Sequence, residues 1–268
     1  MKHAIQSHLL RGTVEVALVG CGGSGSIMLT ELTKIDKAMR ELGHPGGLHV
    51  TVYDPDTVSE SNIGRQNFYA PDKGKNKAVV LVDRVNKCCG VDWKAVPDYF
   101  PPKGYNRPNF IIGCVDTRKA RRQIAAFAGN ASYWLDMGNG LSTGQVILGE
   151  PLRNGETPKT RPMRLPTVVD LYPDLLDESV PEDEVPTCSL AEALEKQDLF
   201  VCRTVVTFAA NLLWNLFRKG GLDNHGHFIN LDTGMVTALP VDPEVWKRFK
   251  PAKPKRSRKR RTAEATAA

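Results

Sequence analysis

Nowhere in the 268 residues do eighteen apolar side chains follow one another, which argues against a membrane-spanning helix. The longest candidate, residues 205–217, includes Thr, Asn and Trp and reads as a buried core helix. The start of the chain lacks the charged-then-apolar run and small-residue cleavage site of a secretory leader. Six cysteines (Cys21, Cys88, Cys89, Cys114, Cys188, Cys202) form no C-x-x-C pair, so no structural zinc is expected. Several lie in apolar or strand-like segments, which suits free thiols in a reducing cytoplasm. No H-x-x-x-H pair links His44, His49, His225 and His227, and ordinary roles are expected for them. No internal repeat is found. Evenly spread basicity is missing too. From Lys247 onward there are ten Lys or Arg and one Glu, a balance of +9 against a total of +6, so residues 1–246 carry −3. A nucleic-acid argument from overall charge therefore fails; such contact is confined to the tail, KPKRSRKRR at 253–261, which could equally be a solubilising segment.

Hydrophobic content of 41% and charged content of 25% are ordinary globular values and exclude a mostly disordered chain. Strand-like runs at 14–19 (VEVALV), 49–54 (HVTVYD) and 109–116 (NFIIGCVD) alternate with helical stretches up to Leu42, at 76–89 and at 117–130. YWLDMG and QVILG suggest two more strands. The expected fold is α/β: a Rossmann-like, doubly wound mixed sheet with helices on both faces. The texture changes at Glu150, and seven prolines fall between Pro151 and Pro186. After PTCSL comes a helical pattern from Val201 to Lys219, stopped by Gly220-Gly221. FINLDTGMVTALPV then reads as a hairpin around Asp232-Thr233-Gly234. The expected organisation is one domain over 1–250, with a Pro-rich crossover loop at 150–187, and a disordered basic tail at 251–268.

Gly20, Gly22 and Gly25 satisfy G-x-G-x-x-G between a strand and a helix. Glycine permits a tight turn and a close backbone approach to phosphate, and the helix start offers free N–H groups. The bland alternative is a structural turn. By itself the loop fits NAD as well as ATP. Asp54 closes the second strand, where a carboxylate can hold ribose hydroxyls. It lies 29 positions after Gly25, so the first helix or its exit loop is extended. What separates ATP from NAD is DPDTVSESNIGRQN at 54–67. Arg65 can fork onto phosphate oxygens, and Lys77 adds a point charge. Asp116 closes the apolar strand at 109–116, where a carboxylate facing a triphosphate can hold Mg²⁺.

The order GxGGxG, DxDxVxxSNxxRQ, GxxK (Gly74 to Lys77) and a strand ending in Asp116 resembles the ThiF/MoeB/HesA-type adenylyltransferases, prokaryotic relatives of ubiquitin-activating enzymes. With its PTCSLAEALEKQDLFVC segment, the whole chain is similar to the ThiF-type family of the plasmid cassette called PRTRC. The resemblance implies that Gly20, Gly22, Gly23 and Gly25 wrap a triphosphate and that Asp54 binds ribose. It implies further that Asn62, Arg65 and Gln66 meet phosphates, that Lys77 meets the α- or γ-phosphate, and that Asp116 coordinates Mg²⁺. The implied cofactors are ATP and Mg²⁺. The implied partner is a ubiquitin-like β-grasp protein ending in glycine, whose carboxylate is adenylated with release of pyrophosphate. A homodimer is implied as well.

Two features depart from the family. The paired C-x-x-C zinc site of many members is missing. Many members also carry an arginine near the N-terminus that reaches into the partner subunit; here Arg11 is the only Arg before the first strand, and its part is open. Cys188 occupies the place of the acyl-accepting cysteine of some members; the alternative is a thiol with no chemistry. Cys202 is expected to be packing. Two rival functions remain: a dinucleotide-dependent oxidoreductase, disfavoured by Asn62, Arg65 and Lys77, and a nucleotide-binding adaptor without catalysis.

Overall fold

The computed structural model describes residues 1–101, 107–179 and 190–249. In chain order the elements are β1 (His3–Ala4), β2 (Val14–Val19), α1 (Gly23–Glu41), β3 (Leu48–Tyr53), α2 (Lys77–Cys89) and β4 (Lys94–Val96). Then come β5 (Phe110–Gly113), α3 (Arg118–Ala128), β6 (Tyr133–Asn139), β7 (Thr143–Gly149), α4 (Val168–Leu171) and α5 (Leu190–Lys196). The chain continues through α6 (Val201–Lys219), β8 (Gly221–Leu222), β9 (Asn224–Asn230), β10 (Met235–Pro240) and α7 (Pro243–Trp246). Eight strands form one mixed sheet in the order β10-β9-β7-β6-β5-β2-β3-β4, while β1 and β8 pair separately.

The sheet has two characters. From β6 through β5, β2 and β3 to β4 every pairing is parallel; from β6 outward through β7 and β9 to β10 every pairing is antiparallel. All four residues of β5 are buried, as are five of six in β2, because helices cover both faces of the parallel half. That double burial explains their nearly unbroken apolar sequence. On one face α1 packs against both α2 and α6, and α6 reaches across β6, β7 and β9. On the other, α3 lies against the turn at 173–176. From β2 the chain winds outward to β3 and β4, then returns to β5 on the opposite side of β2. The switch point therefore opens beside the carboxyl ends of β2 and β5, where ligands settle in open α/β sheets.

Charge rather than periodicity organises the Pro-rich segment. The buried carboxylate of Glu150 accepts hydrogen bonds from Gln6 Nε2 (3.2 Å), Arg161 Nη2 (3.0 Å) and the Leu165 amide (3.1 Å). Arg164 forks onto Asp170 at 2.6 and 2.9 Å and donates to the Glu150 carbonyl at 2.8 Å. These bonds hold 150–170 against the sheet with only the short α4 inside them. Two sequence expectations are corrected here. β5 stops at Gly113, so Asp116 does not close a strand; it lies in the β5–α3 loop, just before Thr117, which caps α3 by accepting the Ala120 amide at 3.2 Å. Asp54 likewise stands one residue beyond β3. Gly220, with φ +66°, ends α6 in the left-handed conformation expected of a glycine stop. Cys188 and the tail from 251 lie outside the described residues.

Candidate functional site

A cavity of about 870 Å³ opens at the switch point, lined by the β2–α1 loop, the turn at 59–66, the start of α2, the β5–α3 loop and the first turn of α6. Its floor is the glycine loop, whose glycines do different work. Gly20 has φ +90°, and a Cβ there would lie 2.9 Å from the Cys114 carbonyl oxygen. A Cβ on Gly25 would overlap the Gly20 carbonyl, and one on Gly23 would meet the Cys202 sulfur. Those three positions are glycine because the protein itself is close. Gly22 differs: a Cβ there would have only Gln66 Nε2 nearby, at 4.0 Å, and the residue lines the cavity. Protein packing does not require glycine at 22. The space that glycine leaves there belongs to the cavity, beside the start of a 19-residue helix whose first N–H groups favour an anion.

The charged residues surround that floor. Asp54 is buried, and both its oxygens are engaged: Oδ2 accepts from the Cys21 amide (2.5 Å) and Oδ1 from the Asp56 amide (2.9 Å). Burial pushes its carboxyl up, against the opposing pull of Lys77 and of those two amides. Asp54 thus ties the glycine loop to the end of β3; each oxygen keeps a further lone pair, and the residue lines the cavity. Lys77, the first residue of α2, is buried and makes an ion pair with Asp56 Oδ2 at 2.9 Å. Asn76 caps α2 by accepting the Val79 amide (3.0 Å) and donates to the carbonyls of Asp54 (2.9 Å) and Asp56 (3.0 Å). Asn62 accepts the Ser59 amide at 3.0 Å. Arg65 donates through Nη1 to Gln197 Oε1 at 2.6 Å, while its buried Nε and Gln66 Oε1 have no hydrogen-bond partner among the described residues. Asp116 is exposed at the cavity margin.

The sequence-based site residues Gly20, Gly22, Gly23, Asp54, Asn62, Arg65, Gln66, Lys77 and Asp116 all line this one cavity. Gly25, the third residue of α1, does not line it. Arg11 is exposed at the end of a short turn and does not line it. Cys202 is both packed and part of the wall: its sulfur accepts from Asn139 Nδ2 (3.3 Å) and donates to Gln197 Oε1 (3.2 Å), and burial pushes its thiol up. Deeper on that side, Arg121 pairs with the fully buried Asp136 at 3.3 Å; burial pushes the Asp136 carboxyl up against the arginine's pull. Sequence reading missed Asp56, Asn139 and Gln197. Asp56 had a signal in the DPD triplet; Asn139 and Gln197 reach the site only through folding. Among the described residues no three Cys, His, Asp or Glu side chains gather for a metal. A lone exposed carboxylate such as Asp116 matches the way Mg²⁺ is held with a nucleotide, by one or two carboxylates plus phosphates and water.

Three likenesses bear on this arrangement. The sequence pattern of the ThiF family matches residues 3–254. Mouse ubiquitin-like modifier-activating enzyme 6 is 26% identical over an alignment of 192 residues, with 66% of this chain and 16% of that protein covered. Among solved structures, E. coli MccB with ATP superposes with a TM-score of 0.52 at 15% identity, covering 85% of this chain and 64% of that one. E. coli MccB with AMPCPP and selenomethionine MccA gives 0.51 at 14% identity over the same shares. At such identities the likeness to MccB shows the fold alone. This chain spans about a sixth of the length of the mouse relative and just under two thirds of the MccB chains. With the family pattern running over nearly all of its length, the chain belongs to the ThiF family.

Proposed function

We propose that the cavity binds Mg-ATP and that the protein adenylates the C-terminal carboxylate of a small ubiquitin-like β-grasp protein ending in glycine. The observation that carries this reading is Gly22. It is a glycine that the protein's own packing does not demand, and it lies in the same cavity as Arg65 and Lys77. The Gly20–Ser24 turn cradles the triphosphate, Asp54 takes the ribose, and Asn62, Arg65, Gln66 and Lys77 meet the phosphate oxygens. A substrate carboxylate oxygen attacks the α-phosphorus, the bond to the β-phosphate oxygen breaks, and pyrophosphate leaves. Arg65 and Lys77 stabilise the charge that accumulates on the phosphate oxygens. When bound, magnesium supplies further neutralisation of phosphate charge, and Asp116 is the carboxylate that would hold it.

The proposal extends to a homodimer and to transfer of the acyl group onto Cys188, whose sulfur would attack the acyl carbon as AMP departs. This extension rests on the sequence motif, as does the plasmid-cassette subtype. A nicotinamide oxidoreductase would have no use for two cations and two amides on the phosphate side. ATP–pyrophosphate exchange with β-grasp proteins ending in glycine tests the reading, alongside titration with ATP and NAD. Exchange is expected, with ATP bound and NAD not. Asp116→Ala should lower exchange by about a hundredfold, the loss of one preorganised transition-state contact, whereas Cys188→Ser should retain exchange and lose a thiol-sensitive adduct. Tight NAD binding without ATP binding would overturn adenylation.

A further inference from the structure

Arg65 and Gln197 stand 132 positions apart, yet they share the shortest side-chain hydrogen bond on the phosphate side of the cavity, 2.6 Å from Nη1 to Oε1. Gln197 lies in the connector between α5 and α6, and α5 packs on the turn at 60–62 that carries Asn62. The same amide oxygen accepts the Cys202 thiol at 3.2 Å. Cys202 in turn accepts from Asn139, which also donates to Ser24 Oγ at 2.9 Å in the first turn of α1. A continuous chain of hydrogen bonds thus runs along the cavity wall from the glycine loop to the arginine.

The chemistry of this contact is specific. A guanidinium offers five N–H groups in a rigid plane, and two of them on one edge can fork onto an anion. Gln197 uses one Nη1 hydrogen, and Nε is buried, whereas Arg65 as a whole is only half-buried and lines the cavity. Because the amide is neutral, it fixes the plane of the guanidinium without cancelling its charge. A glutamate in its place would make the same bond but would pair the cation internally. We propose that Gln197 is a positioning residue: it holds the Arg65 guanidinium in the cavity wall so that the N–H groups left free at the cavity surface meet a phosphate group of the bound nucleotide. This inference rests on the nucleotide reading of the cavity and assigns to it a residue from a distant part of the chain.

The test is calorimetric titration of the full chain with Mg-ATP, inorganic tripolyphosphate and adenosine. Gln197→Ala should weaken ATP and tripolyphosphate by about tenfold, the worth of one hydrogen bond to a charged group, and leave adenosine unchanged. In an Arg65→Ala background, Gln197→Ala should add no further loss, because the two act as one unit. Gln197→Glu, nearly isosteric, should lose more than Gln197→Ala; it carries the test if the alanine variant fails to fold. Phosphate-ligand affinities within twofold of wild type in these variants would overturn the positioning role. So would an equal loss for adenosine, or an undiminished loss in the Arg65→Ala background. A wild-type chain that binds neither ATP nor tripolyphosphate would overturn the nucleotide reading and this inference with it.

Discussion

One methyl group is enough to separate the two jobs that glycine does between residues 20 and 25. At Gly25 an added Cβ overlaps the Gly20 carbonyl, a backbone atom that cannot swing aside. Gly25→Ala should therefore cost roughly 1–3 kcal/mol of folding stability, the usual range for overpacking, read as a lowered urea midpoint. At Gly22 the same methyl points into the cavity with only Gln66 Nε2 near it. Gly22→Ala should lower the urea midpoint less than Gly25→Ala does and should weaken ATP binding. If both variants lost stability equally and bound ATP alike, the loop would be a structural turn. The spacing G-x-G-x-x-G cannot make this distinction, because what decides it is whatever stands opposite each Cα.

At the scale of elements, α2 shows how a helix start is tied to a site. Asn76 caps it and at the same time reaches the backbone carbonyls of Asp54 and Asp56, so Lys77 is delivered to the cavity by three bonds from its neighbour. Asn76→Ala should cost about 1 kcal/mol, typical of a lost N-cap, visible in thermal melts. It should also weaken ATP binding, since Lys77 and its partner Asp56 lose their common anchor; unchanged binding would mean that the ion pair holds Lys77 unaided. The helices α1, α2, α3 and α6 and the hairpin were legible from apolar spacing and terminal glycines, because those signals are local. The pair β1–β8 and the short β4 were not, being two or three residues long and stabilised by partners far along the chain. The segment 150–170 was legible only as an interruption. Its order comes from Glu150, Arg161, Arg164 and Asp170, and ion pairs have no period in sequence.

For the whole molecule, acid should loosen the antiparallel half of the sheet. His225 on β9 is completely buried, with Nδ1 2.8 Å from the Leu148 carbonyl, Nε2 without a partner among the described residues and the ring edge-on to Trp246. Burial pushes its pKa down to about 4, against roughly 6.5 in an unfolded chain. A folded pKa below the unfolded one means that stability is complete above about pH 6.5 and is lost as pH falls toward 4. The loss should be on the order of 3 kcal/mol. His3 and His227, also pushed down by burial, act in the same direction. Urea unfolding between pH 7 and 4 should show this decline, and His225→Asn should flatten it. A wild-type chain equally stable across that window would show that the ring is protonated at no cost.

From sequence alone came the α/β class, the parallel succession of strands, the glycine loop and the identity of nine cavity residues. The first three follow from local rules, apolar runs where strands are covered on both faces and glycine where backbone turns sharply; the polar cavity residues followed from the cluster at 54–67 and from the resemblance carried by the order of the motifs. Tertiary structure alone decided that the sheet becomes antiparallel beyond β6, that Asp116 sits in a loop, and that Asp54 spends both oxygens on backbone amides. It alone brought Gln197, Asn139 and Cys202 to Arg65 and the glycine loop. The physical reason is range. A hydrogen bond between residues 65 and 197 depends on the folding of every element between them, and neither residue type nor spacing along the chain records it.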